Sequence, residues 1–520
     1  MSKDLGDFQT PPALVSKVLQ CLTANGQSWG RALEPTCGIG NFVVGLLDLP
    51  NPPSEIYALE LQDSYVQKAR KRILPSQIRS TIEQANIFTL DLGNLRWKEA
   101  TPLLVVGNPP WVTNAGLGVL DSENLPQKTN FKKLKGLEAL TGRANFDIAE
   151  YIWLRLITDL IEENPTIALL CKTSVARNVL QYCFDAQLPI AGASLWRIDA
   201  KKWFGAAVDA CLFRVDVALQ KQSYEVAIYD DLEAEQPLSI MGIANGKLVS
   251  DVERYLATQF ADGICTLVWR QGVKHDAASV LELIGDKDYF KNKLGEPVVS
   301  EAEYVYPLLK SSDLFRGSAK IPRSLIVHQK HLGEDTKNLE HAAPRLWRYL
   351  SEHRSTFENR KSSIYRGKPP FALFGIGDYT FAEYKVAISG FHKEARFRAI
   401  GPRNGRPVVL DDTCYFVPCT SPEQAAVLST LLNSPLCKDL IHSMVFWDSK
   451  RPITKKLLQR IDLRALLHRV DRRALLSRAE QELAQLRPSN PQVPITWPNN
   501  IEDLLLGKPG SNTPAQAALL

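Results

Sequence analysis

This sequence lacks the features of a membrane or secreted protein. No apolar run in its 520 residues approaches the roughly 20 residues that a membrane-spanning helix needs. The first ten residues, MSKDLGDFQT, are polar and acidic, whereas a secretory signal would be basic and then apolar. We therefore expect a cytoplasmic protein with no membrane partner.

A pattern of metal ligands or disulfides is also missing. The nine cysteines are odd in number and scattered, with no CxxC pair, and the eight histidines form no cluster at ligand spacing. We expect reduced thiols and no metal site.

The length and composition are those of a globular protein that is long enough for two well-packed domains or three small ones. The chain is 45% hydrophobic and 23% charged, with a formal net charge of +5. Residues 351–410 carry eleven Lys or Arg against five Asp or Glu, whereas residues 1–100 carry ten of each. Such a local excess is typical of a surface for a polyanion, although a solvated basic face without a partner gives the same pattern.

Short apolar runs alternate with helical stretches along the N-terminal half. The runs RALEP, IYALEL and TPLLVVG belong to a βαβ alternation that predicts a parallel sheet. We predict a Rossmann-like, doubly wound α/β domain over residues 1–235 and, from the mixed pattern that follows, an α+β domain over residues 236–480. Residues 463–487 predict one basic amphipathic helix, and residues 481–520 a weakly ordered C-terminal tail.

A glycine loop follows the first predicted strand. Residues 34–42 read EPTCGIGNF, and Gly38 and Gly40 let the backbone pass close to a ligand. Glu60 ends the next strand, 20 residues after Gly40, where a carboxylate can accept both ribose hydroxyls. Because the next glycine is Gly45, the dinucleotide fingerprint is incomplete, which favours an adenosine ligand without a pyrophosphate over NAD. A tight turn with an exposed Glu60 is the alternative.

The motif Gly107-Asn108-Pro109-Pro110-Trp111 comes directly after the third predicted strand. It therefore lies at the carboxyl edge of a parallel sheet, where such folds bind ligands. Two prolines stiffen the backbone, so the Asn108 side-chain oxygen and the Pro109 carbonyl are held as acceptors beside the flat ring of Trp111. When two acceptors bind the hydrogens of an aromatic amine, they favour a tetrahedral nitrogen. The lone pair of that nitrogen can then attack a methyl group. A rigid turn with a core tryptophan is the alternative.

Residues 112–145 contain four glycines and a group of lysines: Lys128, Lys132, Lys133 and Lys135. The length of this stretch predicts a long mobile loop, which is either functional or simply disordered.

Together these motifs resemble the gamma class of adenine-N6 DNA methyltransferases of bacterial restriction-modification systems. Residues 8–12 (FQTPP) are similar to the F-x-T-P motif of that class, residues 34–42 to its D-P-x-C-G-x-G-x-F loop, and residues 108–111 to its N-P-P-Y tetrapeptide. The order of the motifs is also the same. Glu34 replaces the usual aspartate and Trp111 the commoner tyrosine, so the charge and the aromatic ring are kept.

The resemblance implies S-adenosyl-L-methionine as the cofactor and a role for each motif residue. Residues 86–88 (NIF) stand where the family usually has an acidic residue at the cofactor adenine, and residues 202–205 (KWFG) resemble a motif whose aromatic ring packs against the flipped target base. A core position is the alternative for Phe204. The implied cofactor contacts are Thr10, Pro11, Glu34, Pro35, Cys37, Gly38, Gly40, Glu60, Asn86, Ile87 and Asn108. The implied catalytic residues are Asn108, Pro109, Pro110 and Trp111, with Trp111 and Phe204 stacking on the target base.

The C-terminal half is more loosely similar to the target recognition domains of the same family, in segments such as WRQGVKHDA at residues 269–277 and YPLLKSSDL at residues 306–314. This similarity implies double-stranded DNA as the partner, with Arg and Lys on phosphates and a few polar or aromatic side chains on base edges. It also implies a nucleoid-associated protein, a cognate restriction endonuclease encoded separately, and a chain that can act as a monomer.

Three other functions fit parts of the sequence. Asp378, Glu383 and Lys385 resemble the D…ExK pattern of metal-dependent nucleases, at too short a spacing, so a bifunctional restriction-modification enzyme is one alternative. RNA and protein methyltransferases also use NPP-aromatic sites but are commonly smaller. A non-catalytic DNA-binding protein on the same fold would have lost a chemical residue, and all four residues of the NPPW motif are present.

Overall fold

The computed structural model describes residues 9–73, 78–112, 147–286, 289–317, 323–487, 497 and 500–506. Phe8 of the FQTPP motif and all but the first residue of the lysine-containing stretch 112–145 lie outside these residues. The chain forms two compact units, Met1–Glu253 and Arg254–Leu520. The first unit extends past residue 235, because two further strands continue its sheet.

The first unit is built on one ten-stranded sheet with the order β10-β9-β8-β6-β7-β5-β4-β1-β2-β3. Its strands are β1 (Arg31–Glu34), β2 (Glu55–Glu60), β3 (Arg79–Gln84), β4 (Leu103–Gly107), β5 (Thr166–Lys172), β6 (Ile190–Ile198), β7 (Ala210–Val217), β8 (Glu225–Tyr229), β9 (Ser239–Ala244) and β10 (Lys247–Val249). Strands β1 to β5 pair in parallel, and β7 runs antiparallel to both β5 and β6. The predicted Rossmann-like α/β fold of this half is confirmed.

Helices alternate with these strands. They are α1 (Pro12–Thr23), α2 (Asn41–Leu47), α3 (Asp63–Ile73), α4 (Ile148–Asp159), α5 (Thr173–Asp185) and α6 (Ala200–Phe204). Helix α1 begins with a proline, whose missing N–H costs nothing in a first helical turn. It buries the apolar side chains Leu14, Val15, Val18 and Leu19 in the same core as the sheet residues Ala32 and Leu104.

The parallel register brings three strand ends to one edge of the sheet. β1 ends at Glu34, β2 at Glu60 and β4 at Gly107, and Glu34 lies beside Ala58 of β2 while Leu33 lies beside Val105 of β4. Each strand leads into one of the predicted motifs, so the motifs meet at this edge as expected for a parallel sheet.

The second unit contains two smaller sheets. A four-stranded antiparallel sheet has the order β11-β20-β17-β18, and a six-stranded sheet has the order β14-β13-β12-β16-β15-β19. The strands are β11 (Arg270–Gln271), β12 (Glu282–Asp286), β13 (Tyr289–Lys291), β14 (Pro297–Val298), β15 (Val305–Leu309), β16 (Arg323–Ile326), β17 (Tyr384–Ser389), β18 (Phe397–Ile400), β19 (Val409–Leu410) and β20 (Cys414–Cys419). The only parallel pair that these strands form is β15 with β19.

Helices surround these sheets, so the unit is α+β as predicted. Helix α7 (Val252–Thr258) spans the division between the units, and the others are α8 (Ala278–Leu281), α9 (Ser311–Arg316), α10 (Leu339–Ala342), α11 (Pro344–Glu352), α12 (Arg354–Glu358), α13 (Pro422–Leu432), α14 (Pro435–Met444), α15 (Lys455–Leu458), α16 (Leu463–Arg469), α17 (Arg472–Leu486) and α18 (Ile501–Leu506).

The C-terminal region differs from its prediction in two ways. The single helix expected over residues 463–487 is two helices, because the Asp471 carboxylate accepts the backbone N–H groups of Arg473 and Ala474 and starts α17 afresh. Part of the predicted tail is helical, at Ile501–Leu506. α18 buries Ile501 and Leu505, and the Gln424 side chain of α13 donates to the Leu505 carbonyl at 3.2 Å.

The cysteines are all free thiols, and every one except the half-buried Cys21 is buried. Burial raises the pKa of the Cys21 thiol to about 11, which makes a thiolate scarce at neutral pH. Over the part of the chain that the structure describes, no helix has the length and apolar content to cross a membrane.

Candidate active site

A cavity opens at the sheet edge where β1, β2 and β4 end. It encloses about 1190 Å³, including its open mouth. Most of the predicted cofactor and catalytic residues line it: Thr10, Glu34, Pro35, Cys37, Gly38, Glu60, Asn86, Ile87, Asn108 and Pro110. Residues nearly 100 positions apart in the chain therefore share one concave site.

The glycine loop bends around the Glu60 carboxylate. Gly38 has a φ of 54°, in the left-handed region that favours glycine, and its N–H donates to Glu60 Oε2 at 2.8 Å. The N–H of Gln62 donates to Glu60 Oε1 at 2.8 Å. A carboxylate has about four lone-pair sites, more than these two amides occupy, so Glu60 can also accept ribose hydroxyls.

Glu34 lines the cavity and also forms a hydrogen bond with the first turn of α2. Its Oε2 accepts the N–H of Val43 at 3.1 Å, which satisfies a first-turn amide of α2. Burial raises the pKa of Glu34 well above its ordinary value, and the neighbouring Glu60 raises it further. Gly40 has a φ of 79° and caps the same helix, and a Cβ there would lie 3.1 Å from the Ala69 Cβ of α3.

Gln9 and Thr10 form hydrogen bonds with the glycine loop, and Thr10 also forms one with the NPPW motif. The Asn41 side chain donates to the Thr10 carbonyl at 2.7 Å, and the Gln9 side chain accepts the N–H of Ile39 at 3.1 Å. The Thr10 hydroxyl accepts from the Asn108 amide nitrogen at 3.1 Å. Because this bond uses the nitrogen of the Asn108 amide, it fixes the direction in which the amide oxygen points.

The loop after β3 forms the apolar end of the cavity. The Asn86 side-chain oxygen accepts the N–H of Phe88 at 2.9 Å, which forms a tight turn, and Phe88 packs on Tyr151 with ring centroids 5.5 Å apart. Arg155 of α4 holds the loop by donating to the Ile87 and Leu90 carbonyls. Asn86 therefore performs the turn-forming role that an aspartate can also perform.

Trp111, the last residue of the NPPW motif, is packed into the interior of the first unit. Its indole N–H donates to the Leu170 carbonyl at 3.3 Å, and only 7% of the residue is exposed. The half-buried Phe204 meets it edge to face, with ring centroids 5.1 Å apart and an interplanar angle of 73°. The two predicted stacking rings are thus neighbours that contact each other.

Lys172, at the end of β5, joins the two flanks of the stretch between residues 112 and 147. Its ammonium donates to the Trp111 carbonyl at 3.2 Å and to the Asp147 carboxylate at 2.7 Å. The N–H of Ile148 donates to the Val112 carbonyl at 3.0 Å beside this contact. We call these contacts the Lys172 clasp.

Some predicted residues do not line the cavity, namely Pro11, Gly40, Pro109, Trp111 and Phe204. Pro11 and Gly40 lie at helix starts. The cavity also has lining residues that the sequence did not predict: Gln9, Thr36, Asn41, Phe42, Leu61, Gln62, Tyr65, Ala85, Phe88, Val112, Ile148 and Ile152. Several of these lie next to a recognised motif in the sequence, and this proximity could have predicted them. Ile148 and Ile152 belong to α4, and only the tertiary fold brings them to the cavity.

The nuclease-like residues do not form a site in the second unit. Lys385 is 1% exposed, and its ammonium donates to the Ala382 and Val408 carbonyls. The side chain of Asp378 is 94% exposed and Glu383 is exposed too, so the three groups do not converge. Among the residues that the structure describes, no three His, Cys, Asp or Glu side chains are grouped to hold a metal ion.

Comparison with known proteins finds one relative across nearly the whole chain. The type II methyltransferase M.NspV from Nostoc sp. is 38% identical over 466 residues, which are 88% of this chain and 96% of that protein. The type IIL restriction-modification enzyme MmeI, solved in complex with DNA, has a similar fold with a TM-score of 0.53 and 13% identity, covering 95% of this chain and 69% of that chain. A putative class I S-adenosylmethionine-dependent methyltransferase from Listeria monocytogenes aligns with a TM-score of 0.31 and 12% identity over 44% of this chain and 67% of that one. No protein-family model matches.

Proposed function

Because this chain belongs to the type II methyltransferase family, we propose that it methylates the N6 amine of adenine in double-stranded DNA with S-adenosyl-L-methionine as the methyl donor. The single observation that carries the proposal is the cavity that joins Thr10, Gly38, Glu60 and Asn108. The loop that we propose binds adenosine and the motif that we propose binds the amine line the same space.

The cavity residues fit the proposed cofactor. Glu60 suits the ribose hydroxyls, and Ile87 and Phe88 offer an apolar surface to the adenine ring. The Thr36 hydroxyl oxygen lines the same cavity and is buried without a hydrogen-bond partner among the described residues. Since a buried hydroxyl without a partner is costly, a polar ligand group at this position would stabilise it.

The proposed chemistry is a direct methyl transfer. When bound, S-adenosylmethionine supplies an electrophilic methyl group on its sulfonium sulfur. The cofactor, held beside Gly38 and Glu60, would supply this methyl group to the N6 lone pair, and N6 would release one proton to water. Asn108 and the Pro109 carbonyl accept the N6 hydrogens and so direct the lone pair, which requires no covalent intermediate on the protein.

The target adenine has to leave the DNA helix to reach this motif, because its N6 is otherwise held in the base stack. We propose that the Trp111–Phe204 pair receives the flipped base. Phe204 is half-buried and Trp111 is buried, so Phe204 contributes the larger share of accessible ring surface. We assign DNA recognition to the second unit, with a separately encoded endonuclease as the cognate partner and the monomer as the active form.

The test is transfer of labelled methyl groups from S-adenosylmethionine to unmethylated duplex DNA, with mass spectrometry of the nucleosides. We expect label in N6-methyladenine, and a loss of at least about 100-fold in Asn108→Ala because an interaction made in the transition state is removed. Asn51→Ala, an exposed loop asparagine, is the matched control and should keep full activity.

The outcomes separate the alternatives. Label in N4-methylcytosine would keep a DNA methyltransferase but overturn the adenine assignment. Cofactor binding with transfer only to RNA or protein would overturn the DNA substrate. Absence of cofactor binding would leave a non-catalytic DNA-binding protein.

A further inference from the structure

A basic pocket on the second unit lies outside the proposed methyl-transfer site. It is formed by residues 354–371 and encloses about 790 Å³, including its open mouth. Residues 354–368 contain five Lys or Arg and one Glu. The local excess of positive charge in the sequence is therefore partly gathered around one concave surface.

Ten of the eleven basic residues of 351–410 fall into two groups, and the eleventh, Arg398, is half-buried. Several have structural partners: Arg360 donates to backbone carbonyls, Lys385 is buried, Arg396 pairs with Glu394, and Arg406 donates to the Ala302 and Glu303 carbonyls. The exposed ones are Arg354, Lys361, Arg366, Lys368, Lys393 and Arg403. Four of these six line the basic pocket.

Arg360 is the fixed element of the pocket. Its guanidinium donates to the Ala372 carbonyl at 2.7 Å and to the His275 carbonyl at 3.2 Å, and its carbon lies 3.6 Å from the centre of the Tyr365 ring. These contacts anchor the segment at its base. The exposed cations around it consequently project from a backbone that is held in place.

Three of the exposed cations form no ion pair with a described carboxylate. No described carboxylate lies within 4.0 Å of the Lys361, Arg366 or Lys368 charge, whereas Arg354 is 4.0 Å from the Glu358 carboxylate. Around this open pocket the cations outnumber the carboxylates, and such an excess complements a polyanion.

We propose that the basic pocket binds the phosphate backbone of duplex DNA through Lys361, Arg366 and Lys368. This inference rests on the proposed function, which makes DNA the polyanion that the chain meets. Phosphate contacts position a protein on the duplex without reading its sequence. The pocket therefore supplies affinity and register, and it leaves the choice of recognition sequence to other side chains of the second unit.

The test is the salt dependence of DNA binding by the full chain and by the variant K361A/R366A/K368A. Each phosphate contact contributes about 0.9 to the slope of log K against log salt, so three contacts contribute about 2.7. The ratio of wild-type to variant affinity should then shrink about 40-fold between about 50 mM and about 200 mM salt. The loss should be the same for specific and non-specific duplexes.

Two further variants control for charge and for structure. R473A/R478A/K221A removes three positive charges from exposed positions elsewhere and should leave the slope unchanged. K361R/R366K/K368R keeps the charges and should keep the wild-type slope. Cofactor affinity, which reports the folded first unit, should be equal in all of them.

An unchanged slope in K361A/R366A/K368A would overturn the pocket assignment, as would an equal reduction of the slope in the control triple variant. A loss confined to RNA binding would assign the pocket to RNA instead. These results can be told apart from a failure of the proposed function, because that failure would appear as an absence of N6-methyladenine in DNA treated with the wild-type chain.

Discussion

At the scale of single residues, Thr10 connects the two halves of the candidate site. Its carbonyl accepts from Asn41 of the glycine loop, and its hydroxyl accepts from the Asn108 amide. A residue in the cofactor motif thus orients the residue that is proposed to hold the target amine. One residue therefore links the glycine loop to the NPPW motif.

We predict that Thr10→Val lowers kcat by about 2- to 10-fold, because a neutral hydrogen bond contributes about 0.5–1.5 kcal/mol. The Asn108 amide would lose the partner that fixes its direction, while the apolar bulk of residue 10 is kept. Steady-state kinetics with labelled S-adenosylmethionine would measure the change. Thr10→Ser keeps the hydroxyl and should behave like the wild type. Equal kcat values in Thr10→Val and wild type would show that Asn108 needs no such orientation.

At the scale of elements, the Lys172 clasp connects β5 to the NPPW motif and to α4. The Asp147 carboxylate accepts from Lys172 and also from the N–H of Ala149, so one carboxylate caps the helix and receives the ion pair. Burial raises the pKa of Asp147, and the Lys172 charge opposes that rise. The backbone of the motif is therefore held by a lysine on a different strand.

We predict that Lys172→Met destabilises the first unit by about 3 kcal/mol or more, because it leaves Asp147 buried without its ionic partner. Methyl transfer should also fall, since the Trp111 carbonyl loses its donor. Adding Asp147→Asn should recover stability but not kcat. Chemical unfolding and kinetics of the two variants would separate these effects. Recovery of both quantities in the double variant would limit Lys172 to neutralising Asp147.

The strands of the first unit could be predicted from the sequence better than the side-chain contacts between its elements. Strands ending at Glu34, Glu60 and Gly107 were predictable because their apolar runs are local, and a parallel sheet brings such ends together. Two contacts were not predictable, because both depend on how α4 packs. They are the ion pair of Lys172 with Asp147 and the hydrogen bond from Arg155 to the Ile87 carbonyl. No periodicity in the chain encodes such contacts.

The second unit was harder to predict for a related reason. Its class as α+β followed from the mixed pattern, but β15 pairs in parallel with β19, about 100 residues later in the chain. Its short strands, some of only two residues, carry too little alternation to be recognised. The break between α16 and α17 was local, however, and Asp471 was a readable capping signal.

At the scale of the whole molecule, two buried histidines make stability depend on pH. His328 is 4% exposed, its Nε2 lies 2.9 Å from the Phe371 carbonyl, and burial lowers its pKa from 6.5 to about 4, with the Arg360 charge adding to the effect. His275 is lowered to about 4 as well, chiefly by burial. The unfolded chain therefore binds more protons than the folded chain between pH 4 and 6.5, so stability is present above pH 6.5 and is lost as the pH falls.

We predict that His328→Gln destabilises the second unit less at pH 5 than at pH 7, by a difference of about 2 kcal/mol. A shift of one pKa unit corresponds to about 1.4 kcal/mol, and about 1.5 pH units separate pH 5 from the unfolded pKa. Hydrogen exchange of the β15 and β16 amides at both pH values would measure the two differences. The structural cost of the substitution is the same at each pH and cancels. An identical destabilisation at pH 5 and pH 7 would mean that His328 does not titrate between them.

The Lys172 clasp also bears on how the chain can be engineered. Trp111 and Val112 leave the sheet at the point where Asp147 and Ile148 return to it, so the two flanks are joined whatever the number of residues between them. The joint is made by Trp111, Val112, Asp147, Ile148 and Lys172 and does not itself depend on the length of the interval. A protein engineer who changes that length can therefore keep the joint by keeping these five residues.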